Sequence, residues 1–480
     1  FPTRRSSDLA GLIAAMAWKM AEPLRTQPSV RAGAAAAGEA AVTAAKLGGQ
    51  VAYLVVDAQT GAVLDARDPA LLLPPASTAK AITALYALDR LAPNFRFGTR
   101  LLATGPVAGG RIDGDLVLAG SGDPTLSTDT LAAMAADLRA RGVRSVSGRF
   151  LVNEAALPTL PQIDADQPDH VGYNPSISGL NLNFNRVHFE WRQAGQGWDV
   201  AMDARSDRYV PPVRMARMTV VTRDQPLYTF AEQGGIDSWT VASTALGKDG
   251  SRWLPVRQPG AYAGDVFRTL ARAQGIDLPE PQLVRTRPEG TVLVQAASEP
   301  LPAVLQDMLK FSTNLTAEVV GLTATGGGVG TLADSARQMS GWAAQRFGRA
   351  GLFVDHSGLG ADSRVAPADM VAALQQARTG PLPSLLKPYA LRDAKGREVK
   401  GHPLKVVAKT GTLNFVSGLT GYVATPDGRS LVFAIYAADT ARRDAVPMDQ
   451  REQPPGGTAW SRRARVMQSR LIEGWAGVGG

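Results

Sequence analysis

Ser77-Thr78-Ala79-Lys80 places a hydroxyl three residues ahead of an amine. A serine hydroxyl is a poor nucleophile near neutral pH unless a base takes its proton. Lysine becomes such a base when burial or a neighbouring cation lowers its pKa. On a helix, positions i and i+3 share a face, so this spacing brings Lys80 to Ser77. The free N–H groups of a helix N-terminus also favour negative charge there. Two further triplets bear on the same chemistry. Ser312-Thr313-Asn314 follows an apolar helical run and adds a hydroxyl and a carboxamide. Lys409-Thr410-Gly411 ends an apolar strand, with Thr412 next. Lys409 and Thr410 on an edge strand suit a substrate carboxylate, and Gly411 removes a side chain that would block close approach. The N–H groups of Thr412 and Ser77 are predicted to form an oxyanion hole.

Each triplet alone has an ordinary explanation: a helix cap at Ser77 or Asn314, a solvated strand end at Lys409. A second S-x-x-K, Ser384-Leu385-Leu386-Lys387, lies between Pro383 and Pro388, so no continuing helix holds its lysine. It reads as coincidence. The order S-x-x-K, S-x-N, K-T-G, each on its required element, carries the inference of acyl transfer at Ser77.

These elements follow from the pattern of the chain. Residues 51–57 and 62–66 read as a β-hairpin around Gln59-Thr60-Gly61. Pro74-Pro75 then precede a helical run that begins at the Ser77 turn. Residues 97–290 are Gly- and Pro-punctuated, with strand-like runs at 114–119, 181–191 and 217–222 and helices at 129–141 and 261–275. Helices return over 302–323 and 331–347. Strands follow at 404–409, 416–424 and 430–438, and a last helix spans about 458–475. Residues 441–457 read as a mobile loop, 326–330 as a flexible connector, and Asp123 as a turn residue. The expected architecture is therefore one five-stranded antiparallel sheet built from both chain ends and flanked by helices. Its domain would span 46–96 and 291–480, with a mainly β insert of one or two modules over 97–290.

Composition removes several alternatives. The 480 residues include no cysteine, which excludes disulfides, thiol catalysis and iron–sulfur clusters. The four histidines, His170, His188, His356 and His402, show no ligand spacing, so neither a metal nor another cofactor is expected. A net charge of +8 without blocks of like charge argues against a nucleic-acid-binding arm. No apolar run is long enough for a membrane-spanning helix. Residues 1–45, with Arg4 and Arg5 ahead of an apolar stretch, are expected to be a remnant of a secretory leader joined to a sequence scar, forming a helical or disordered segment.

The three motifs are those shared by active-site serine penicillin-recognising enzymes. The wide gap between Ser77 and Ser312 resembles the D-alanyl-D-alanine carboxypeptidase/endopeptidases of the penicillin-binding protein 4 type. GDLVLAGSGDPTL (114–126), GLNLNFN (179–185), MLKFSTNLTAE (308–318), DHSGL (355–359) and AKTGTLNFVSGLTGYV (408–423) carry this likeness over about residues 48–440. The resemblance implies a serine β-lactamase/transpeptidase-like α+β fold and a periplasmic enzyme. Its substrates would be peptidoglycan stems ending in D-Ala-D-Ala and D-Ala–diaminopimelate cross-links, and β-lactams would acylate it. It implies Ser77 as nucleophile, Lys80 as base, Ser312 and Asn314 as proton-relay and substrate-amide contacts, and Lys409, Thr410 and Gly411 as the carboxylate-binding strand. His356 stands where the family usually has glycine, so segment 355–359 forms either a differently shaped loop or a surface turn. Asn153-Glu154 stands where relatives carry an aspartate that helps read diaminopimelate. The rival functions are a β-lactamase-like hydrolase, an esterase, and a catalytically inactive wall-binding or sensor module.

Overall fold

The computed structural model describes residues 32–286, 289–327, 329–349 and 351–477. Most of the expected leader lies outside these residues. Its last part does not: Ala32–Ala45 forms a helix, α1, packed on the C-terminal helix α9, Gly457–Ala476. Alanine is the strongest helix former. The folded region thus begins before the expected residue 46.

Strands β1 (Gln50–Asp57) and β2 (Val63–Arg67) form the expected hairpin, with the Asp57 carboxylate accepting from the N–H groups of Gln59 (2.9 Å) and Thr60 (2.8 Å). Helix α2 is Ala79–Arg90. The insert supplies β3 (Gly98–Ala103), β4 (Leu116–Gly120), α3 (Thr128–Ala140), β5 (Phe150–Asn153), β6 (Arg186–Ala194), β7 (Gly197–Asp203) and β8 (Ala216–Val221). It continues with β9 (Tyr228–Gln233), β10 (Ile236–Ala242), β11 (Asp249–Pro255), α4 (Pro259–Ala273), β12 (Pro281–Val284) and β13 (Thr291–Ala297). Then come α5 (Leu301–Phe311), α6 (Asn314–Thr325), α7 (Leu332–Phe347), α8 (Pro367–Ala377), β14 (Lys405–Leu413), β15 (Val416–Ala424) and β16 (Ser430–Ala438).

The two chain ends meet in one antiparallel sheet ordered β14-β15-β16-β1-β2. The five expected strands are joined by a two-residue edge strand, Lys387–Pro388, beside Val407 and Ala408. A proline on the edge removes no ladder bond that a central strand would need. Alternation along β1 divides two cores. Ala52, Leu54 and Val56 face the layer of α2 and α5–α8, while Tyr53 and Val55 face the layer of α1 and α9.

A separate core of Leu118, Phe150, Trp239 and Phe267 fills the insert. Its main sheet is ordered β12-β5-β4-β3-β13, and three three-stranded sheets accompany it among the described residues. Because β13 pairs with β3, the insert's sheet runs to Ala297, past the expected return at 290. Residues 181–191 correct another expectation. Strand β6 starts only at Arg186, and Asn183, Phe184 and Asn185 adopt left-handed φ values of 50–59°. Asparagine tolerates that region, and here its amides satisfy buried backbone, Asn183 accepting from Thr128 N (3.1 Å) and Asn185 donating to Ser176 O (2.9 Å). Asp123 is a turn residue, accepting from Thr125 N at 2.8 Å. The segment expected to be a mobile loop, 441–457, is tied to the insert: Glu452 accepts from His170 (2.8 Å) and Arg252 (2.9 Å).

Candidate active site

Ser77 lies in a tight turn, Ala76–Thr78, that leads into α2. Ala76 has φ of +46°, a left-handed conformation costly for a residue with a Cβ and typical of functional sites. Two glycines let other elements press on this turn. A Cβ on Gly411 would sit 2.6 Å from Pro75 O, and one on Gly358 would sit 2.0 Å from Ala76 O. Gly358 itself has φ of +75°. Gly358→Ala therefore combines a backbone clash with a left-handed alanine, and should destabilise the fold by about 2–5 kcal/mol while slowing acylation of Ser77. Urea unfolding beside the rate of penicillin adduct formation checks this. A variant as stable and as fast as wild type would show that Gly358 does not hold the turn.

Lys80 is fully buried. Its Nζ lies 2.9 Å from Ser77 Oγ and donates to Asn314 Oδ1 (2.7 Å) and to Ser357 O (2.8 Å). A neutral amine can keep the last two bonds and turn its lone pair to the serine hydroxyl. Burial pulls the Lys80 amine down to about 8, against the opposing pull of Glu318 and Asp355. Both carboxyls are fully buried and pushed up by desolvation. Each also braces the loop at 355–360. Glu318 accepts from the N–H groups of His356 (2.9 Å) and Ser357 (2.8 Å), and Asp355 from those of Gly358 and Gly360, both at 2.6 Å. That loop delivers the Ser357 carbonyl to Lys80.

The apolar run at 302–323 is interrupted at Ser312, whose φ of +59° separates α5 from α6. The break aims Ser312 Oγ at Lys409 Nζ, 2.9 Å away. Lys409 also donates to Thr410 O at 2.8 Å. Burial, with Lys80 and Lys387 as like charges, holds its amine well below the ordinary lysine value. Asn314 opens α6 and donates through Nδ2 to Tyr173 O of the insert (2.8 Å).

Ser77, Ser312, Asn314 and Thr412 line one open cleft of about 650 Å³, with Tyr173 on the insert side and Arg443 on the C-terminal side. Lys80 and Lys409 lie beneath it, bonded to its two serines. Thr410 and Gly411 instead line an adjoining cavity, which Thr412 shares. The structure adds four contributors that the motifs do not name: Glu318, Asp355, Ser357 and Tyr173. Glu318 had a sequence signal, a carboxylate among the apolar residues of α6. Asp355 and Ser357 lie in the DHSGL stretch that carries the likeness, though no role is read for them, and the Tyr173 carbonyl had no signal.

His356 is not in a surface turn. Its ring is fully buried against Gly321, where a Cβ would meet His356 Cγ at 2.1 Å. Its Nε2 lies 2.7 Å from Ser335 Oγ, its carbonyl accepts from Thr83 Oγ1 (2.6 Å), and burial lowers its pKa to about 3. It is a neutral packing residue behind the site. Asn153 and Glu154 are buried in the insert and do not line the cleft; Asn153 donates to Thr286 O, and Glu154 accepts from Thr159 (3.0 Å). In the second S-x-x-K, Ser384 lies in a four-residue helix and donates to Pro381 O (2.7 Å), while Lys387 is in the edge strand.

A model of the D-Ala-D-Ala carboxypeptidase 3 (S13) family matches residues 35–454. The chain is 30% identical over 422 residues to a D-alanyl-D-alanine carboxypeptidase of Actinomadura sp. (strain R39), covering 80% of this chain and 76% of that protein. It is 25% identical to D-alanyl-D-alanine carboxypeptidase DacB of Haemophilus influenzae over 75% of this chain and 79% of the relative. Among solved structures, penicillin binding protein 4 (dacB) from Haemophilus influenzae superposes with a TM-score of 0.67, at 20% identity, over 84% of this chain and 93% of that one. The same protein complexed with a β-lactam gives 0.68, at 20% identity, over 84% and 92%.

Proposed function

The chain belongs to the D-Ala-D-Ala carboxypeptidase 3 (S13) family and is a serine-type D-Ala-D-Ala carboxypeptidase; from that membership we propose that Ser77 is its acyl-ester nucleophile. The observation that carries this reading is the buried Lys80 amine, lowered to about 8 and 2.9 Å from Ser77 Oγ. Neutral Lys80 takes the serine proton as Oγ attacks the carbonyl of the penultimate D-alanine. The N–H groups of Ser77 and Thr412 receive the oxyanion. Lys409 and Thr410 hold the terminal carboxylate. Ser312, bonded to Lys409, passes the proton to the departing amine, and Asn314 orients the substrate amide. Water then hydrolyses the acyl-serine, with Lys80 again taking the proton.

The same chemistry extends to D-Ala–diaminopimelate cross-links, where the leaving amine belongs to a second stem peptide; peptidoglycan as substrate supports the reading of an exported, periplasmic enzyme. Among the described residues no helix is long and apolar enough to cross a membrane. β-Lactams acylate Ser77 because ring carbonyl and carboxylate imitate the dipeptide end. In the test, wild type is incubated with benzylpenicillin and analysed by intact mass and peptide mapping. A stable penicillin adduct on the Ser77 peptide, with D-alanine released from a D-Ala-D-Ala-terminated stem peptide, is expected. Rapid penicillin turnover without a lasting adduct would favour a β-lactamase-like hydrolase, and an adduct on another residue would remove Ser77 from its role.

A further inference from the structure

Strand β6 carries His188 and Glu190 at alternate positions, and β7 carries Asp203 directly opposite His188. Alternate residues on a strand share a face, and a cross-strand pair brings its Cβ atoms to about 5 Å. One imidazole and two carboxylates therefore meet on one sheet face of the insert. One ligand atom from each lies within 4.8 Å of the other two. Histidine spacing could not announce this group, because strand alternation and pairing bring in the carboxylates.

Arg205 accounts for the two acids. Its Nη2 donates to Asp203 Oδ2 (2.6 Å) and Glu190 Oε2 (2.7 Å), and its Nε donates to Asp203 Oδ1 (2.9 Å). It does not account for the imidazole. His188 is only 6% exposed, and its Nδ1 is buried with no hydrogen-bond partner among the described residues. That nitrogen faces the acids, with Asp203 Oδ2 at 3.8 Å, too far for a hydrogen bond. Buried polar atoms are normally satisfied. The guanidinium satisfies the carboxylates and leaves the nitrogen over, whereas a metal ion takes two carboxylates and an imidazole lone pair together.

We propose that His188, Glu190 and Asp203 form a binding site for a divalent cation of the zinc class, which displaces the Arg205 guanidinium. One nitrogen with two carboxylate oxygens suits Zn²⁺ better than the all-oxygen shells that Ca²⁺ and Mg²⁺ take. At metal–ligand distances of about 2.1 Å, a tetrahedral ion holds its ligands about 3.4 Å apart. The three atoms must therefore close in on the ion. The side chains of Glu190 and Arg205 are 45% and 34% exposed, so the first can swing onto the ion and the second out to water. Water fills the fourth position. None of the three ligands lines the cleft at Ser77, so the site is independent of the acyl-serine reading. Its ion ties β6 to β7 and stabilises the insert in proportion to its occupancy.

In the test, the full untagged chain is freed of metal with a chelator. It is then titrated with ZnCl₂ by calorimetry and with CoCl₂ by visible absorption. Wild type should bind one equivalent of Zn²⁺, and Co²⁺ should give d–d bands that Zn²⁺ abolishes. His188→Ala and Glu190→Gln should each weaken Zn²⁺ binding by on the order of 100-fold or more. Because the His188 ring packs on Trp253, with centroids 5.0 Å apart, its removal also disturbs packing. Glu190→Gln, at a half-exposed side chain, is free of that burden. Arg205→Ala should tighten binding by on the order of 10-fold, since no guanidinium then has to be displaced. Zn²⁺ should likewise raise the unfolding midpoint of Arg205→Ala more than that of wild type. An ion-pair cluster that merely holds the sheet together predicts no saturable uptake by either. No uptake at one equivalent by wild type, unchanged affinity in Glu190→Gln, or weaker binding in Arg205→Ala would overturn the site.

Discussion

Ser77→Ala should lower D-alanine release from a D-Ala-D-Ala-terminated peptide by on the order of 10⁴- to 10⁶-fold, the scale seen when a serine hydrolase loses its nucleophile. The geometry makes this variant a clean test. Among the described residues the Ser77 hydroxyl has one side-chain partner, Lys80 Nζ, and Lys80 keeps its bonds to Asn314 and Ser357 when the hydroxyl is gone. Pro75 and Thr78, which close the turn with each other, are untouched. The unfolding midpoint should therefore stay near that of wild type while turnover and the benzylpenicillin mass gain disappear together. The residual rate would come from water attacking a carbonyl that the oxyanion donors still polarise. Retention of the adduct in Ser77→Ala would move the nucleophile elsewhere and with it the whole acyl-transfer scheme.

The parts of this site that local sequence announces are those at element ends. Ser77 follows a proline pair, Ser312 ends an apolar helical run, and Lys409 and Thr410 sit on an apolar strand beside a glycine. Turn formers, periodicity and motif spacing are all short-range signals. What joins them is not short-range. Glu318 reaches the loop at 355–360 from a different helix, and no spacing predicts that its two oxygens will cap the N–H groups of His356 and Ser357. The depth of His356 depends on Gly321 leaving room for its ring, a pairing visible only when α6 and that loop are packed.

The misread elements fail for equally specific reasons. In Asn181-Leu182-Asn183-Phe184-Asn185 polar and apolar residues alternate as a strand would, and the period alone cannot show that the asparagines are folding back on their own neighbourhood in left-handed conformations. The alanine-rich α1 has no amphipathic stripe to mark it as packed. The register of β13 against β3 joins residues about two hundred positions apart, so the edge of the insert emerges only from the sheet.

Lys80→Met should slow acylation by on the order of 10²- to 10⁴-fold, the usual worth of a general base, and should abolish a pH dependence that wild type shows. With the amine held at about 8 by burial, the reactive neutral form is a minority at pH 6 and dominant at pH 9. The acylation rate of wild type is thus expected to rise nearly tenfold per pH unit below about 8 and level off above it, while the methionine variant, with no proton to lose there, stays flat through that window. The substitution also changes stability in a direction that can be worked out. Lys80 lowers the pKa values of Glu318 and Asp355, both raised overall by burial, so its removal raises them further. A carboxyl whose folded pKa lies above its unfolded one contributes stability at low pH and loses it as pH climbs through the folded value. For wild-type Lys80 the folded pKa lies below the unfolded one, so its burial costs least at high pH, where it is neutral. Both effects make the deficit of Lys80→Met grow with pH, and urea unfolding at pH 6 and pH 9 should show a wider gap from wild type at the higher value. A flat wild-type rate profile, or a variant deficit that narrows toward pH 9, would mean that Lys80 stays charged beside Ser77 and that another group takes the serine proton.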